Sequence, residues 1–247
     1  MENKSKGEKN KLSLKDIIFI SVTAALVVAV VVLSVRLATK KPKAEDQSDY
    51  YANKCAAFAV QNANLSRGQI VFIGDSITDL CPLDDYYSSL PSATYNRGIS
   101  GDVTQGVYDR LKVSLYDIAP TKVVLMIGIN DINGGRAVDD IAATYKKILD
   151  DIKINLPDTQ VFCMSVIPLG EKMSAFGTVD IDANNLKVVS LDEKIKTLAA
   201  GNGYTYVDLY AAVSADGRLL KNLTDDGIHL NAAGFAVWAQ TIKPYLA

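Results

Sequence analysis

The sequence holds one histidine, one tryptophan and three cysteines in 247 residues, and each scarcity closes off some chemistry. A single imidazole, His229, cannot build a zinc site that needs two or more, no HExxH spacing occurs, and Cys55, Cys81 and Cys163 lack metal-ligand spacing. Those thiols allow at most one internal disulfide. Cys163 lies in an apolar run and is expected in the core, whereas Cys81 is expected to be partly exposed. There is no Walker A sequence and no GxGxxG, so the usual phosphate cradle is missing. Net charge is nearly absent too: 26 Lys and Arg against 28 Asp and Glu leave -2, no electrostatic footprint for nucleic acid.

Apolar residues make up 49% of the chain, enough for a substantial core. Basic residues concentrate at the N-terminus, where Lys4, Lys6, Lys9, Lys11 and Lys15 precede an uncharged apolar run over residues 17–35. That run has about the length needed to span a bilayer, and Arg36, Lys40, Lys41 and Lys43 follow it where a cleaved signal peptide would carry small residues. The reading is an uncleaved transmembrane signal anchor. Residues 1–16 are then a basic cytoplasmic segment, and the domain beyond is translocated. Residues 36–49, with Pro42, form a juxtamembrane linker, and residues 50–247 form the soluble domain.

From Tyr50 onward, short apolar segments alternate with longer amphipathic ones, the pattern of a parallel sheet covered by helices. Strands are predicted at Gln69–Ile73, Thr94–Asn96, Lys122–Ile127, Gln160–Ser165 and Thr205–Val207. Ile141, Tyr145, Ile148 and Ile152 recur at helical spacing, and Pro157 closes their helix. A second helix is predicted from about Asn185 to Ala200, ending at Gly201, and a last one from about Ala232 to Tyr245, with Phe235, Trp238 and Ile242 on one side. Gly170–Asn184 reads as a loop over the strand edge, either a wall of the ligand pocket or a plain surface connection. The expected architecture is a three-layer α/β/α sandwich around about five parallel strands, plus the N-terminal transmembrane helix. In such sheets ligands collect beyond the carboxyl ends of the strands.

Any mechanism that needs an imidazole base must use His229. Asp226 stands three residues earlier, and a loop that folds back lets its carboxylate fix the tautomer of the ring and stabilise the imidazolium; Asp225 is a rival for that role. A serine hydroxyl needs such a base to become a nucleophile, and Ser76 sits where the first strand gives way to a helix after Gly74 and Asp75. Acyl transfer also needs donors aimed at the developing oxyanion. Gly98, in the turn Asn96-Arg97-Gly98-Ile99-Ser100-Gly101-Asp102, and Asn130, in Gly128-Ile129-Asn130-Asp131, are the candidates. Singly, each of these residues is an ordinary turn or capping residue.

Together, Gly74-Asp75-Ser76-Ile77-Thr78, the Gly98 turn, Gly128-Ile129-Asn130-Asp131 and Asp226-Gly227-Ile228-His229 resemble the four separated blocks of the SGNH (GDSL-type) hydrolases. Within that superfamily the chain looks most like the branch of the platelet-activating-factor acetylhydrolase catalytic subunits and bacterial GDSL-type acylhydrolases. The resemblance runs from about Tyr50 to the C-terminus, and GxSxG, the elbow of α/β-hydrolases, is absent. It implies Ser76 as nucleophile and oxyanion N–H donor, Gly98 and Asn130 as further oxyanion donors, and Asp226 with His229 as the base pair, Asp226 being selected over Asp225 by the Asp-x-x-His spacing. Asp75 and Asp131 are expected to brace their loops.

The reading is a membrane-anchored serine esterase that works through an acyl-serine intermediate, without cofactor or metal. Its expected substrate is a short acyl ester, such as O-acetyl on an extracellular or cell-wall saccharide, with a lysophospholipid or other lipid ester as the competitor. Membrane contact runs through residues 17–35, and no nucleic-acid partner is expected. A non-catalytic carbohydrate-binding domain on the same fold is the alternative of another class, and the completeness of the four blocks argues against it.

Overall fold

Ile70, Val71, Phe72 and Ile73 are apolar on both faces of an extended chain, as a strand with helices above and below it requires. In the computed structural model of the chain, which describes residues 46–173 and 179–247 together with Lys15, Thr23 and Leu26, they form β1 (Ile70–Gly74), buried along its whole length. β2 (Thr94–Gly98), β3 (Lys122–Met126), β4 (Gln160–Met164) and β5 (Thr205–Val207) complete a parallel sheet. The order is β2-β1-β3-β4-β5. The five predicted strands are therefore present, with Phe72 paired to Asn96 on one side and to Val124 on the other. A two-stranded antiparallel ribbon, β6 (Ser214–Ala215) and β7 (Arg218–Leu219), follows later in the chain.

The helices are α1 (Gln47–Asn62), α2 (Ser76–Asp79), α3 (Leu83–Tyr87), α4 (Thr104–Asp109), α5 (Ile129–Asn133), α6 (Val138–Asn155), α7 (Ile181–Asn202), α8 (Tyr210–Val213) and α9 (Ala232–Leu246). Ile141, Tyr145, Ile148 and Ile152 of α6 are fully buried, as their spacing requires, and Phe235, Trp238 and Ile242 of α9 pack inward. α7 departs from expectation at both ends. The Asp180 side chain accepts from Ala183 N and starts the helix before Asn185, and the left-handed residue that stops it is Gly203 (φ 76), with Gly201 inside. The last residues of the predicted 170–184 loop are thus helical, and 174–178 lie outside the described residues.

α1 reaches back into the predicted linker, because Asp46 accepts from Ser48 N and caps a helix that begins at Gln47. One compact unit comprises Asp46–Ala247. The predicted membrane span, residues 17–35, lies outside the described residues apart from Thr23 and Leu26. Among the described residues, no helix is long and apolar enough to cross a membrane. All three cysteines are free thiols; Cys163 is buried as expected, and Cys81 is buried where partial exposure was expected.

Consecutive strands run outward from β1 in both directions, to β2 on one side and to β3 and beyond on the other. The carboxyl end of β1 is therefore the switch point of the sheet, the place where an open parallel sheet offers a crevice.

One core group sets a pH dependence. Asp192 on α7 is 6% exposed, accepts from Val166 N at 2.8 Å through Oδ1, and has no partner for Oδ2 among the described residues. Burial pushes its carboxyl up from 3.8 to about 8. A raised folded-state value means that the stability contribution is complete below the unfolded value and is lost as pH rises toward the folded one. Asp192→Asn keeps the acceptor for Val166 and carries no proton to hold. Relative to the parent, it should gain on the order of 4 kcal/mol between about pH 5 and about pH 8, as measured by thermal unfolding. Parallel stability-against-pH curves for the two proteins would refute this.

Candidate active site

β1 ends at Gly74, and Asp75 turns the chain into α2 by accepting from Ile77 N at 3.0 Å. This is the bracing role expected of Asp75; burial pushes its carboxyl up to about 7, against the lowering effect of that hydrogen bond. Ser76 is the first residue of α2, so its N–H has no intrahelical acceptor. Its side chain is nearly buried, and Oγ lies 2.9 Å from His229 Nε2.

The loop carrying His229 folds back as expected. An isolated antiparallel bridge joins Thr224 to Leu230, and Gly227 N donates to Thr224 Oγ1 at 2.9 Å. Inside it, Asp226 Oδ1 accepts from the backbone of Ile228 (2.9 Å) and His229 (2.8 Å), while Oδ2 lies 2.6 Å from His229 Nδ1. A carboxylate only accepts, so Nδ1 of the neutral ring carries the proton and Nε2 faces Ser76 as an acceptor. Although burial raises the Asp226 carboxyl, hydrogen bonds from the His229 ring and from both amides outweigh it and hold the group below the usual carboxylate range. Asp225 accepts instead from Asn231 Nδ2. Of the two rivals, only Asp226 engages the ring.

The oxyanion candidates divide. Asn130 is presented by α5, and its side-chain amide donates one hydrogen to Asp102 O at 2.9 Å, which leaves the second for a ligand. Gly98 does not offer a free amide: its N–H donates to Asn96 Oδ1 at 2.8 Å. Gly98 is a glycine for another reason, because a Cβ there would lie 2.1 Å from Asp79 N. In the same turn Gly101 adopts φ +79 and lines one cleft of about 330 Å³ together with Asn130, Gln47 and Val103. Among the described residues the Gly101 amide has no acceptor. The signal was in the sequence, since Gly101 stands in the same stretch next to Asp102.

Sequence reasoning also missed the buried ion pair beneath these loops. Arg110 Nε donates to Asp102 Oδ2 at 2.8 Å, with both side chains almost inaccessible. The same guanidinium donates to Arg97 O (2.8 Å), Gly74 O (3.0 Å) and Ser114 Oγ (2.9 Å). It thereby ties the ends of β1 and β2 to the residue on which Asn130 rests. Buried pairs persist only when their remaining donors are satisfied in this way. Asp131 braces as expected, accepting from Thr104 N (2.8 Å), Thr104 Oγ1 (2.9 Å) and Arg136 (2.9 Å).

A model of the GDSL-like lipase/acylhydrolase family matches residues 72–237. Human platelet-activating factor acetylhydrolase IB subunit alpha2 is 27% identical over 172 residues, which cover 68% of this chain and 71% of the human one. A solved structure from Streptococcus pneumonia, described in terms of platelet activating factor, is 25% identical with a TM-score of 0.74, covering 81% of this chain and 94% of that one. The fold is also that of an acetylxylan esterase from Geobacillus stearothermophilus, at 20% identity and a TM-score of 0.58 over 74% of this chain and 96% of the esterase.

Proposed function

The chain belongs to the GDSL-like lipase/acylhydrolase family and is an ester-cleaving hydrolase, and we propose that it is a membrane-anchored serine esterase that removes short acyl groups through an acyl-Ser76 intermediate. The observation that carries this reading is the unbroken hydrogen-bonded series Asp226–His229–Ser76 at the switch point of the sheet.

Ser76 Oγ attacks the ester carbonyl carbon while its proton passes to His229 Nε2. The carbonyl π electrons move onto oxygen, where the amides of Ser76 and Gly101 and the free hydrogen of the Asn130 side chain receive the charge. Collapse of the intermediate breaks the bond to the alcohol, which leaves with the proton held on His229. Water, deprotonated by the same nitrogen, then releases the acid and restores Ser76. Asp226 keeps the ring in the required tautomer throughout.

A short acyl group is supported by the human relative, which is named an acetylhydrolase, and an acetylxylan esterase shares the fold. Anchoring through residues 17–35 sets the domain outside the cytoplasm, where O-acetyl groups on saccharides are the accessible esters. A lipid ester, such as a lysophospholipid, is the second reading, favoured by a family description that includes lipases. Esters that vary separately in acyl length and alcohol, assayed against Ser76→Ala as the blank, distinguish the two. Steep preference for acetyl on a sugar supports the first reading, and preference for long acyl chains overturns it. Proteolysis of intact cells tests the orientation: a catalytic domain protected from added protease would contradict it.

A further inference from the structure

Polar side chains of α1 reach the two loops that carry the proposed nucleophile and amide donor. Tyr50 OH donates to Asp79 Oδ2 at 2.6 Å, Lys54 Nζ pairs with Asp79 Oδ1 at 2.6 Å, and Gln47 Nε2 donates to Ser100 O at 2.6 Å. Asp79 is the last residue of α2, one helical turn beyond Ser76. Its Oδ2 also accepts from Ser100 N at 3.1 Å and Ser100 Oγ at 2.9 Å, and Ser100 immediately precedes Gly101. One carboxylate therefore joins the helix of the nucleophile, the turn of the amide donor and α1.

The backbone supports the same junction. Gly98 packs so closely on Asp79 that no side chain fits between them, so α2 and the glycine turn share one contact surface. Gln47 in turn crowds Gly101: a Cβ there would come within 2.7 Å of its amide nitrogen. α1 buries only Phe58 among its own residues, so its attachment rests largely on polar contacts, the others being Tyr51 OH to Gly106 O, Asn62 Nδ2 to Val113 O, and Arg97 to Gln61 and Asn62. Burial raises the Asp79 carboxyl, but hydrogen bonds from Lys54, Tyr50 and Ser100 outweigh this and keep it below the ordinary range, hence ionised at neutral pH. A plain strut for α1 would need only Lys54 and Tyr50. The two bonds to Ser100 are surplus to that role, and they act on the residue beside Gly101.

We infer that Asp79 is a positioning residue for ester cleavage: held by Tyr50 and Lys54 of α1, it fixes the Ser100–Gly101 turn so that the Gly101 amide meets the oxyanion. The inference rests on the serine-esterase reading above. It also makes α1 part of the catalytic apparatus, although α1 carries no reacting group.

The test uses the full chain and p-nitrophenyl acetate. Asp79→Ala should lower kcat roughly 10- to 100-fold with KM within about threefold, since an amide aimed at the oxyanion counts mainly in the transition state. Asp79→Asn, which keeps one acceptor for Ser100, should recover part of the loss. Tyr50→Phe and Lys54→Met leave Asp79 in place and should each lower kcat by roughly three- to tenfold. Adding Lys54→Met to Asp79→Ala should cost nothing more, because both act through one junction. If Asp79→Ala does not fold, the two α1 variants decide alone. A variant set that melts earlier yet turns over at the parental rate at 25 °C overturns the inference and leaves Asp79 a strut. A parent that cleaves no ester and whose serine does not react with a fluorophosphonate overturns the serine-esterase reading, and this inference with it.

Discussion

Ser76→Ala and His229→Ala should each lower turnover by roughly 10⁴- to 10⁶-fold, and the double variant should be scarcely slower than either. The reason lies in the 2.9 Å contact between Oγ and Nε2. Without the serine no acyl-enzyme forms; without the imidazole the hydroxyl keeps its proton and remains a poor nucleophile. The two residues perform one step, so removing the second takes away what the first removal had already disabled. Asp226→Asn should also lose rate heavily, because its single amide oxygen can keep either the backbone amides of Ile228 and His229 or the Nδ1–H contact, and in the first case its NH2 group faces Nδ1 and favours the wrong tautomer. Steady-state rates on the best ester found for the parent provide the measurement. Additive losses in the double variant would mean that Ser76 and His229 act independently.

Asn130→Ala should lower kcat by roughly 10²- to 10³-fold while KM changes little. Its amide has one hydrogen committed to Asp102 O, so the second is fixed in direction before substrate arrives. A donor held in place costs no reorganisation when charge develops, and its effect is therefore concentrated in the transition state. The loop should survive the substitution, because Asp102 is anchored independently by Arg110. A rise in KM at unaltered kcat would instead assign Asn130 to ground-state binding.

The sheet was legible because burial on both faces leaves a simple record: short runs such as Ile70–Ile73 and Lys122–Ile127 have almost no polar residues to confuse the pattern. The triad was legible for a different reason. A lone histidine and a serine at a strand end leave few combinations, and an aspartate three residues before the histidine is within reach of a folded-back loop. Amide direction left no such trace. Gly98 and Gly101 look alike in sequence, and only the path of the turn shows that Asn96 Oδ1 occupies the first and that the second lines the cleft with Asn130.

The braces were hidden for a related reason. Arg110 collects acceptors from β1, from β2 and from the chain after it, and Asp79 collects donors from α1 and from the glycine turn. No periodicity encodes partners drawn from separate elements. α1 leaves little trace in the sequence because Phe58 alone is buried in it, so it lacks the apolar stripe of a core-facing helix. At the end of α7, the sequence points to Gly201 as the stop because glycine is the commonest residue there. Gly203 takes the left-handed position, and the helix tolerates Gly201 at an exposed site.

Attack by Ser76 with His229 as its base is tested by covalent trapping with a fluorophosphonate, located by peptide mass. The parent should carry one phosphonyl group on the peptide containing Ser76, Ser76→Ala should carry none, and His229→Ala should react at a rate lower by orders of magnitude. Labelling of a different serine, or undiminished labelling without His229, would place the nucleophile or the base elsewhere.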